Sequence, residues 1–192
     1  MAITAYRDRT LVQLRSALQP ALPLATALDF GSGDGFFCHH LAQQGLIGSI
    51  TPVDVVERRE SLVRPQLYDG HRLPFADASF DLCYAIDVVH HCPDPFQSLA
   101  EMTRCTRRWL LLKDHNCDGP LGHLTLAVLD ELGNRRFGIP SPGRYQRNWA
   151  WTHWLRGQGF ERVHWLHPAP SHVGWLGRLT NELQFVGLWR RT

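Results

Sequence analysis

Three glycines that follow a short apolar segment constrain this chain most. Residues 25–30 (ATALDF) are typical of a buried strand, and Gly31, Gly33 and Gly35 come directly after it. A helical stretch continues from there to about Gln44. Glycines between a strand and a helix let the backbone turn sharply and approach a ligand closely. The segment therefore predicts a strand, a ligand-binding turn and a helix in succession.

Strands and helices alternate along the rest of the 192-residue chain. Further strands are predicted at 47–55, 66–68, 79–85, 108–113, 160–166 and 183–190, and helices at 7–18, 94–105, 121–135 and 148–157. Such alternation is typical of a doubly wound, Rossmann-like α/β sheet, here of seven strands. Ligands bind these sheets at the carboxyl ends of the strands, so we expect the chemistry in the loops that follow strands.

The composition narrows the class of partner. Twenty basic and 18 acidic residues leave a net charge of +2, so there is no strong nucleic-acid signal. The five cysteines are odd in number and form no C-x-x-C pair, which indicates free thiols and a cytoplasmic protein. No apolar run approaches the roughly 20 residues of a membrane span, and the first residues have no signal-peptide pattern. The sequence leaves the oligomeric state open.

The spacing of the glycine loop argues against two common ligands. A nicotinamide-binding loop reads G-x-G-x-x-G, but here Phe36 stands where the third glycine belongs. No Gly-Lys-Ser/Thr follows either, so the loop is not a phosphate-binding P-loop. Asp29, just before the loop, would repel a pyrophosphate and attract a cation such as a sulfonium or an amino group.

Four motifs in order resemble those of the class I S-adenosylmethionine-dependent methyltransferases of the small-molecule type. They are Asp29 to Gly35, Asp54 at the end of the second strand, the segment from Asp69 through Leu73-Pro74-Phe75 to Asp81, and Val89-His90-His91-Cys92-Pro93-Asp94-Pro95. The resemblance covers residues 25 to about 115 well. It implies a mostly parallel sheet with an antiparallel last strand, and S-adenosyl-L-methionine as the cofactor.

The resemblance also assigns the cofactor-binding residues. Asp54 would accept hydrogen bonds from the ribose hydroxyls, Asp69 would contact the adenine amino group, and Gly70 would supply a backbone contact. The full expected set is Asp29, Gly31, Ser32, Gly33, Gly35, Asp54, Asp69, Gly70 and Asp87. Asp54 and Asp69 are closer in sequence than the family usually shows, so we expect a loop or a single helical turn between them.

Two histidines are candidate catalytic residues. His115 follows the fifth strand and is a candidate general base, although it could equally be a loop residue. His91 lies in the turn after the fourth strand, and Asp87 on the same turn could bind substrate or orient a histidine. Asp87, Asp114 and Asn116 are oxygen donors of the kind that hold magnesium, but their spacing matches no known site and we expect no metal.

We expect a single domain in four parts. Residues 1–24 form an N-terminal helix, 25–115 the cofactor-binding half, 116–150 a substrate-lid insertion and 151–192 the last strands. Possible acceptor contacts are Asp130, Asn134, Arg135, Arg136, Arg144 and Tyr145 in or near the lid, at least one of Trp149, Trp151 and Trp154, and His172 and Trp175 in the loop before the last strand.

The sequence thus predicts a methyltransferase that acts on a small-molecule acceptor, at oxygen. Methylation of RNA or protein is the alternative, but the Asn/Asp-Pro-Pro-aromatic run of base amino-methylases is absent after the fourth strand, where Ala85-Ile86-Asp87-Val88 stands. A non-catalytic, cofactor-binding module is the other alternative. A nucleotide oxidoreductase is disfavoured by the glycine spacing.

Overall fold

A computed structural model of the chain describes residues 2–134 and 144–192, with side chains at 5–128 and 144–192. The strands are β1 (Leu24–Phe30), β2 (Ile47–Asp54), β3 (Gln66–Leu67), β4 (Phe80–Ile86), β5 (Thr106–His115), β6 (Phe160–Leu166) and β7 (Gln184–Arg191). The helices are α1 (Ala2–Leu18), α2 (Phe36–Gln43), α3 (Pro95–Cys105), α4 (Pro120–Asn134), α5 (Ala150–Gly157) and α6 (Gly174–Thr180).

The seven strands form one sheet in the order β3-β2-β1-β4-β5-β7-β6. The first five strands, β1 to β5, are parallel to one another, whereas β7 runs antiparallel to both β5 and β6. The predicted Rossmann-like sheet with an antiparallel last strand is confirmed. The strand order changes direction at β1 and β4, and ligands bind beside such a switch point.

Side chains of the central strands alternate between two apolar layers. Leu82 and Tyr84 of β4 pack with α1 and α2, whereas Cys83 and Ala85 of the same strand pack with α3 and α5. All four side chains are buried. A sheet covered on both faces needs apolar residues at odd and even positions of each strand alike. This is why β4 and β5 are nearly continuous apolar runs.

Local sequence signals set the ends of several elements. α3 begins as predicted, with Pro95 in its first turn and Asp94 as N-cap, whose carboxylate accepts hydrogen bonds from the backbone N–H of Phe96 and Gln97 at 3.0 and 3.1 Å. Gly45 follows α2 with a φ of +64°, the left-handed conformation in which glycine commonly ends a helix.

Pro52 lies inside β2 although proline removes a ladder donor. The Val53 carbonyl faces β1, where it accepts from the backbone N–H of Gly31, and the Asp54 carbonyl faces the other side, where it accepts from Tyr68. Because successive residues of a strand direct their backbone groups to opposite sides, the backbone of Pro52 faces the same side as that of Asp54. β3 pairs only with Val53 and Asp54, so Pro52 has no partner strand there.

The structure also differs from the sequence predictions in places. The predicted loop before the last strand contains the helix α6, and Trp175 lies in this helix with 73% of its surface exposed. Residues 55–65, all described, form no helix, so the connection from β2 to β3 is the predicted loop. Arg135, Arg136 and the side chains of Asp130 and Asn134 lie outside the described residues. No helix in the described residues is long and apolar enough to cross a membrane.

Candidate active site

The glycine loop joins β1 to α2 at the carboxyl edge of the sheet. Gly31, Gly33 and Gly35 have φ values of +68°, +62° and +76°. These values lie in the left-handed region of backbone conformation, which residues other than glycine rarely adopt. Gly31 donates its N–H to the Val53 carbonyl at 2.9 Å, and Gly35 donates to the Ser32 carbonyl at 2.9 Å. The loop therefore has a backbone conformation that is held by hydrogen bonds and requires glycine at these three positions.

Neighbouring segments approach this loop closely. A Cβ atom at Gly31 would lie 2.4 Å from Cγ1 of Val88, which follows β4. A Cβ atom at Gly35 would lie 2.8 Å from the backbone nitrogen of Val63, in the connection from β2 to β3. Packing alone therefore excludes side chains at these two glycines. At Gly33 the nearest atom to such a Cβ is the flexible guanidinium of Arg58, at 3.1 Å.

Asp54 supports the loop from the end of β2. Its Oδ2 accepts a hydrogen bond from the Gly33 N–H at 2.9 Å, and its Oδ1 accepts from the Val55 N–H at 2.7 Å. The carboxylate thus links the ends of β1 and β2. The sequence predicted a residue for ribose binding here, and the structure adds this role as a brace.

Three carboxylates, those of Asp29, Asp34 and Asp54, lie in or next to the glycine loop. Asp29 is 3% exposed, and burial raises its pKa to about 7, with further contributions from the nearby charges of Asp54 and Asp34 and an opposing effect of the Tyr84 hydroxyl. Asp34 pairs with Arg7 of α1 at 2.7 Å. The negative potential that remains after this pairing favours a cationic ligand at the loop, as the sequence suggested for Asp29.

Asp69 and Gly70 form an exposed turn after β3. The Oδ1 atom of Asp69 accepts hydrogen bonds from the backbone N–H of Arg72 and His71 at 2.9 and 2.8 Å. These bonds, that of Arg72 foremost, lower the pKa of the Asp69 carboxyl. Gly70 has a φ of +80°, and a Cβ atom there would lie 3.3 Å from Cγ1 of Val55. The turn thus stands beside the end of β2.

Asp87 follows β4 and belongs to a buried polar cluster that the sequence did not predict. Its backbone has a φ of +54°, which is uncommon for a residue other than glycine. Its carboxylate pairs with Lys113 Nζ at 2.6 Å and accepts a hydrogen bond from the Tyr6 hydroxyl. Lys113 also donates to Tyr6 and to Gln184 Oε1. Lys113, at the end of β5, is the single lysine of the chain, and the sequence could have singled it out for that reason. No feature of the sequence marks Tyr6 or Gln184.

His115 and Asp114 lie beside this cluster at the end of β5. Asp114 is 1% exposed, and its Oδ1 lies 2.6 Å from His90 Nδ1 and 3.4 Å from His115 Nδ1. His115 Nδ1 is also 3.8 Å from Asp87 Oδ1. Although burial works to raise the pKa of Asp114, the charges and hydrogen bonds of His90 and His115 lower it well below its usual range. Asp114 is therefore an ionised carboxylate between two imidazoles.

The other histidines surround this pair. His91 is partly buried, and its ring centroid lies 4.0 Å from that of His90. The sequence named His91 as a candidate, whereas His90 is the residue bonded to Asp114. His172 stacks on Tyr6 at 4.8 Å, and burial together with the charge of Lys113 lowers its pKa to about 4.

The oxygen donors that the sequence offered for magnesium are engaged separately. Asp87 pairs with Lys113, Asp114 with His90, and Asn116 accepts from the Trp149 N–H at 3.2 Å. Among the described residues a different set, His90, Asp114 and His115, has ligand atoms within 4.8 Å of one another. Its shortest separation is a hydrogen bond, and we assign no metal to it.

Comparisons with known proteins agree with this geometry. A family model described as a methyltransferase domain matches residues 28–109. An uncharacterized methyltransferase of Mycobacterium sp. (strain JLS) is 38% identical over 131 residues, which cover 58% of this chain and 47% of that protein. The chain thus spans about half the length of the curated relatives it matches.

Solved structures extend the likeness of the fold to nearly the whole chain. The YcgJ protein of Bacillus subtilis has a TM-score of 0.68 at 17% identity, covering 97% of this chain and 99% of its own. The 1,6-didemethyltoxoflavin-N1-methyltransferase of Burkholderia thailandensis, solved with its substrate and S-adenosylhomocysteine, has a TM-score of 0.66 at 20% identity and covers 98% and 78%. Residues 28–109 thus match the methyltransferase-domain family, and the chain has the fold of these S-adenosylmethionine-dependent methyltransferases.

Proposed function

We propose that this protein transfers a methyl group from S-adenosylmethionine to an oxygen atom of a small-molecule acceptor. The observation that carries the proposal is the enclosed polar edge formed by the ends of β4 and β5. His115 and Asp114 are buried there. Tyr145 packs beside them, and its ring centroid lies 5.2 Å from that of His90 and 6.0 Å from that of His115. An edge enclosed in this way suits a small acceptor better than a macromolecule.

The residues present fit the cofactor of the class. At Gly33 the glycine loop is covered by the flexible Arg58 guanidinium, which can move to admit a ligand. The Asp54 carboxylate beside it can accept hydrogen bonds from ribose hydroxyls. Asp29 favours the positive charges of the sulfonium and the amino group. Asp69 and Gly70 are proposed for the adenine. When bound, S-adenosylmethionine supplies an electrophilic methyl group.

His115 is proposed as the base that takes a proton from the acceptor hydroxyl. The Asp114 and Asp87 carboxylates, 3.4 and 3.8 Å from its Nδ1, stabilise the positive charge that the ring acquires. Asp114 is held ionised for this task by His90. His91, which lies against His90, is the second candidate for proton transfer. Asp87 is proposed to position His115 and the bound molecules through its pair with Lys113.

Two alternatives are retained. Methylation of RNA or protein would need an open, basic surface around the edge, and the net charge of +2 gives no support for one. A non-catalytic module would bind the cofactor without turnover. The five cysteines are free thiols, which supports our proposal that the protein acts in the cytoplasm.

The test is to incubate the protein with methyl-labelled S-adenosylmethionine and cell extract, and to separate small molecules, lipids, RNA and protein. We expect label in the small-molecule or lipid fraction. An Asp54→Ala variant serves as the control, because it should lose cofactor binding and with it the label. Label in RNA or protein would contradict the acceptor class. Cofactor binding with no label in any fraction would favour the non-catalytic module.

A further inference from the structure

A groove runs between α5 and β6, away from the glycine loop. α5 begins at the carboxyl edge of the sheet and β6 returns to that edge, so the groove follows the length of both. It encloses about 830 Å³, which is within the range of small-molecule sites. Its lining extends from Trp149 and His167 at the carboxyl edge to Gly159 and Thr192 at the opposite edge. No residue of the cofactor-binding set lines it.

The floor of the groove is aromatic. Trp165 of β6 stacks on Phe185 with ring centroids 5.2 Å apart, and Trp189 lies 6.2 Å from Trp165. A Cβ atom at Gly187 would lie 2.3 Å from the Trp189 indole and 3.1 Å from that of Trp165. The glycine in the middle of β7 therefore leaves room for both indoles, whose planes are inclined at 76° to each other. This arrangement presents aromatic surface to a ligand.

Backbone strain holds a third indole at the carboxyl-edge end of the groove. Asn148 and Trp149 have φ values of +49° and +56°, which is a genuine outlier for a bulky residue. Two hydrogen bonds maintain this conformation: Asn148 donates its N–H to Asp118 at 2.6 Å, and Trp149 donates to Asn116 at 3.2 Å. The Trp149 ring consequently packs edge-to-face on Trp165 at 5.0 Å and is only partly buried. Strain of this kind tends to occur at ligand sites.

The walls carry positive charge. Arg156 lies on α5, and the Arg162 guanidinium lies 4.6 Å from the centre of the Trp165 ring. Neither guanidinium forms an ion pair within the described residues. Glu161, the carboxylate in the lining, pairs with Arg190 at 3.3 Å. Two arginines beside an aromatic floor complement a planar group that bears an anion.

We propose that this groove is a binding site for a small planar aromatic anion. The ring of the ligand packs against the indoles of Trp165 and Trp149, and its carboxylate or other acidic group is bound by Arg156 and Arg162. The site is separate from the cofactor loop and does not depend on methyl transfer. Its presence can therefore be tested by binding alone.

The probe is 2-naphthoate, and the measurement is isothermal titration calorimetry with tryptophan fluorescence as a second readout. We expect saturable binding at one site, with quenching of the indoles. A double variant, Arg156→Gln with Arg162→Gln, should weaken binding about tenfold, because the charge-assisted hydrogen bonds are lost. The neutral isostere 2-naphthamide should bind the unmodified protein about tenfold more weakly than 2-naphthoate for the same reason.

Arg178→Gln is the matched control, since this exposed arginine of α6 lies outside the groove. It should leave the affinity for 2-naphthoate unchanged. All variants should bind S-adenosylhomocysteine as the unmodified protein does, which shows that the fold is intact. The proposal is overturned if 2-naphthoate does not bind, if the double variant and the control bind it equally, or if S-adenosylhomocysteine competes with it.

Discussion

Lys113 Nζ lies 2.6 Å from Asp87 Oδ1, so an ion pair joins the ends of β5 and β4. Lys113 is fully buried, whereas the Asp87 side chain is 22% exposed. Tyr6 of α1 bonds to both residues, and its ring lies 4.8 Å from the ammonium. The N-terminal helix is thereby attached to the same edge of the sheet that carries the candidate catalytic histidines.

Removal of one partner of this pair should destabilise the fold. We expect Lys113→Met to lower the free energy of unfolding by about 3 kcal/mol, since it leaves Asp87 beside a low-dielectric interior without its cation. Urea denaturation followed by tryptophan fluorescence measures the change. Adding Asp87→Asn to Lys113→Met should recover part of the loss. If the double variant is less stable than Lys113→Met alone, the pairing is not the source of the effect.

The glycine loop should tolerate no side chain at Gly31, for two separable reasons. Gly45→Ala places a Cβ atom at a φ of +64° with nothing within 4 Å, so it measures the backbone strain alone, about 1 kcal/mol. Gly31→Ala has the same strain and a 2.4 Å approach to Val88, and should cost about 2 to 4 kcal/mol in total. Val88→Ala in the Gly31→Ala background should relieve the steric part. Equal losses for the two single variants would contradict this account.

Asp54 should control cofactor affinity through its charge as well as its hydrogen bonds. Asp54→Ala should weaken S-adenosylhomocysteine binding at least about tenfold, because the proposed ribose contact and the brace on Gly33 are both lost. Asp54→Asn keeps an acceptor oxygen for Gly33 and should lose less. Glu57→Gln, in the same loop and exposed, is the control and should bind normally. Calorimetry gives the affinities, and unchanged binding in Asp54→Ala would refute the ribose assignment.

Stability should depend on pH through Asp29. Its pKa is raised to about 7 in the folded protein, so between its usual range and pH 7 the folded state binds more protons than the unfolded state. The contribution of Asp29 to stability should therefore fall as the pH rises from about 4 to 7 and level off above that value, opposite in sign to that of His172, whose pKa is lowered to about 4. Asp29→Asn should remove the Asp29 contribution and so change the slope, whereas Asp8→Asn, an exposed carboxyl of α1, should leave the slope unchanged. Denaturation curves at several pH values test the difference, and identical slopes in both variants would exclude Asp29 as the group.

His115 should affect turnover and leave cofactor binding intact. Once an acceptor is known, His115→Ala should slow methyl transfer by about 100-fold or more if the ring acts as general base. S-adenosylhomocysteine should still bind with unchanged affinity. His164→Ala on β6 is the comparison, because that ring lies away from the carboxyl edge and should have little effect on the rate. A loss smaller than threefold in His115→Ala would leave His115 as a structural residue.

Several parts of the candidate site were predictable because they depend on local sequence. The glycine triplet demands left-handed backbone, and Asp54 ends a strand directly beside it in the sheet. Asp94 and Pro95 mark a helix start by their own chemistry. The short interval between Asp54 and Asp69 left no room for a full crossover helix, and the structure has a loop there.

Other parts could not be predicted in this way. The choice between His90 and His91 depends on one turn of 3-10 helix at Val89–His91, which directs the first ring to Asp114. Tyr6 and Gln184 come from opposite ends of the chain and meet at Lys113. Neither residue carries a motif, so their contact follows from the packing of α1 and β7 on β5.

The sequence by itself determined the alternation of strands and helices and the glycine loop, because backbone conformation and burial period are encoded by residues close together in the chain. Only the tertiary structure decided which polar groups share the carboxyl edge. It also decided that an aromatic groove lies between α5 and β6, with two arginines that form no ion pair to any described residue. Those relationships depend on which distant segments the sheet places side by side. A contact between distant segments leaves no periodic signal in either one.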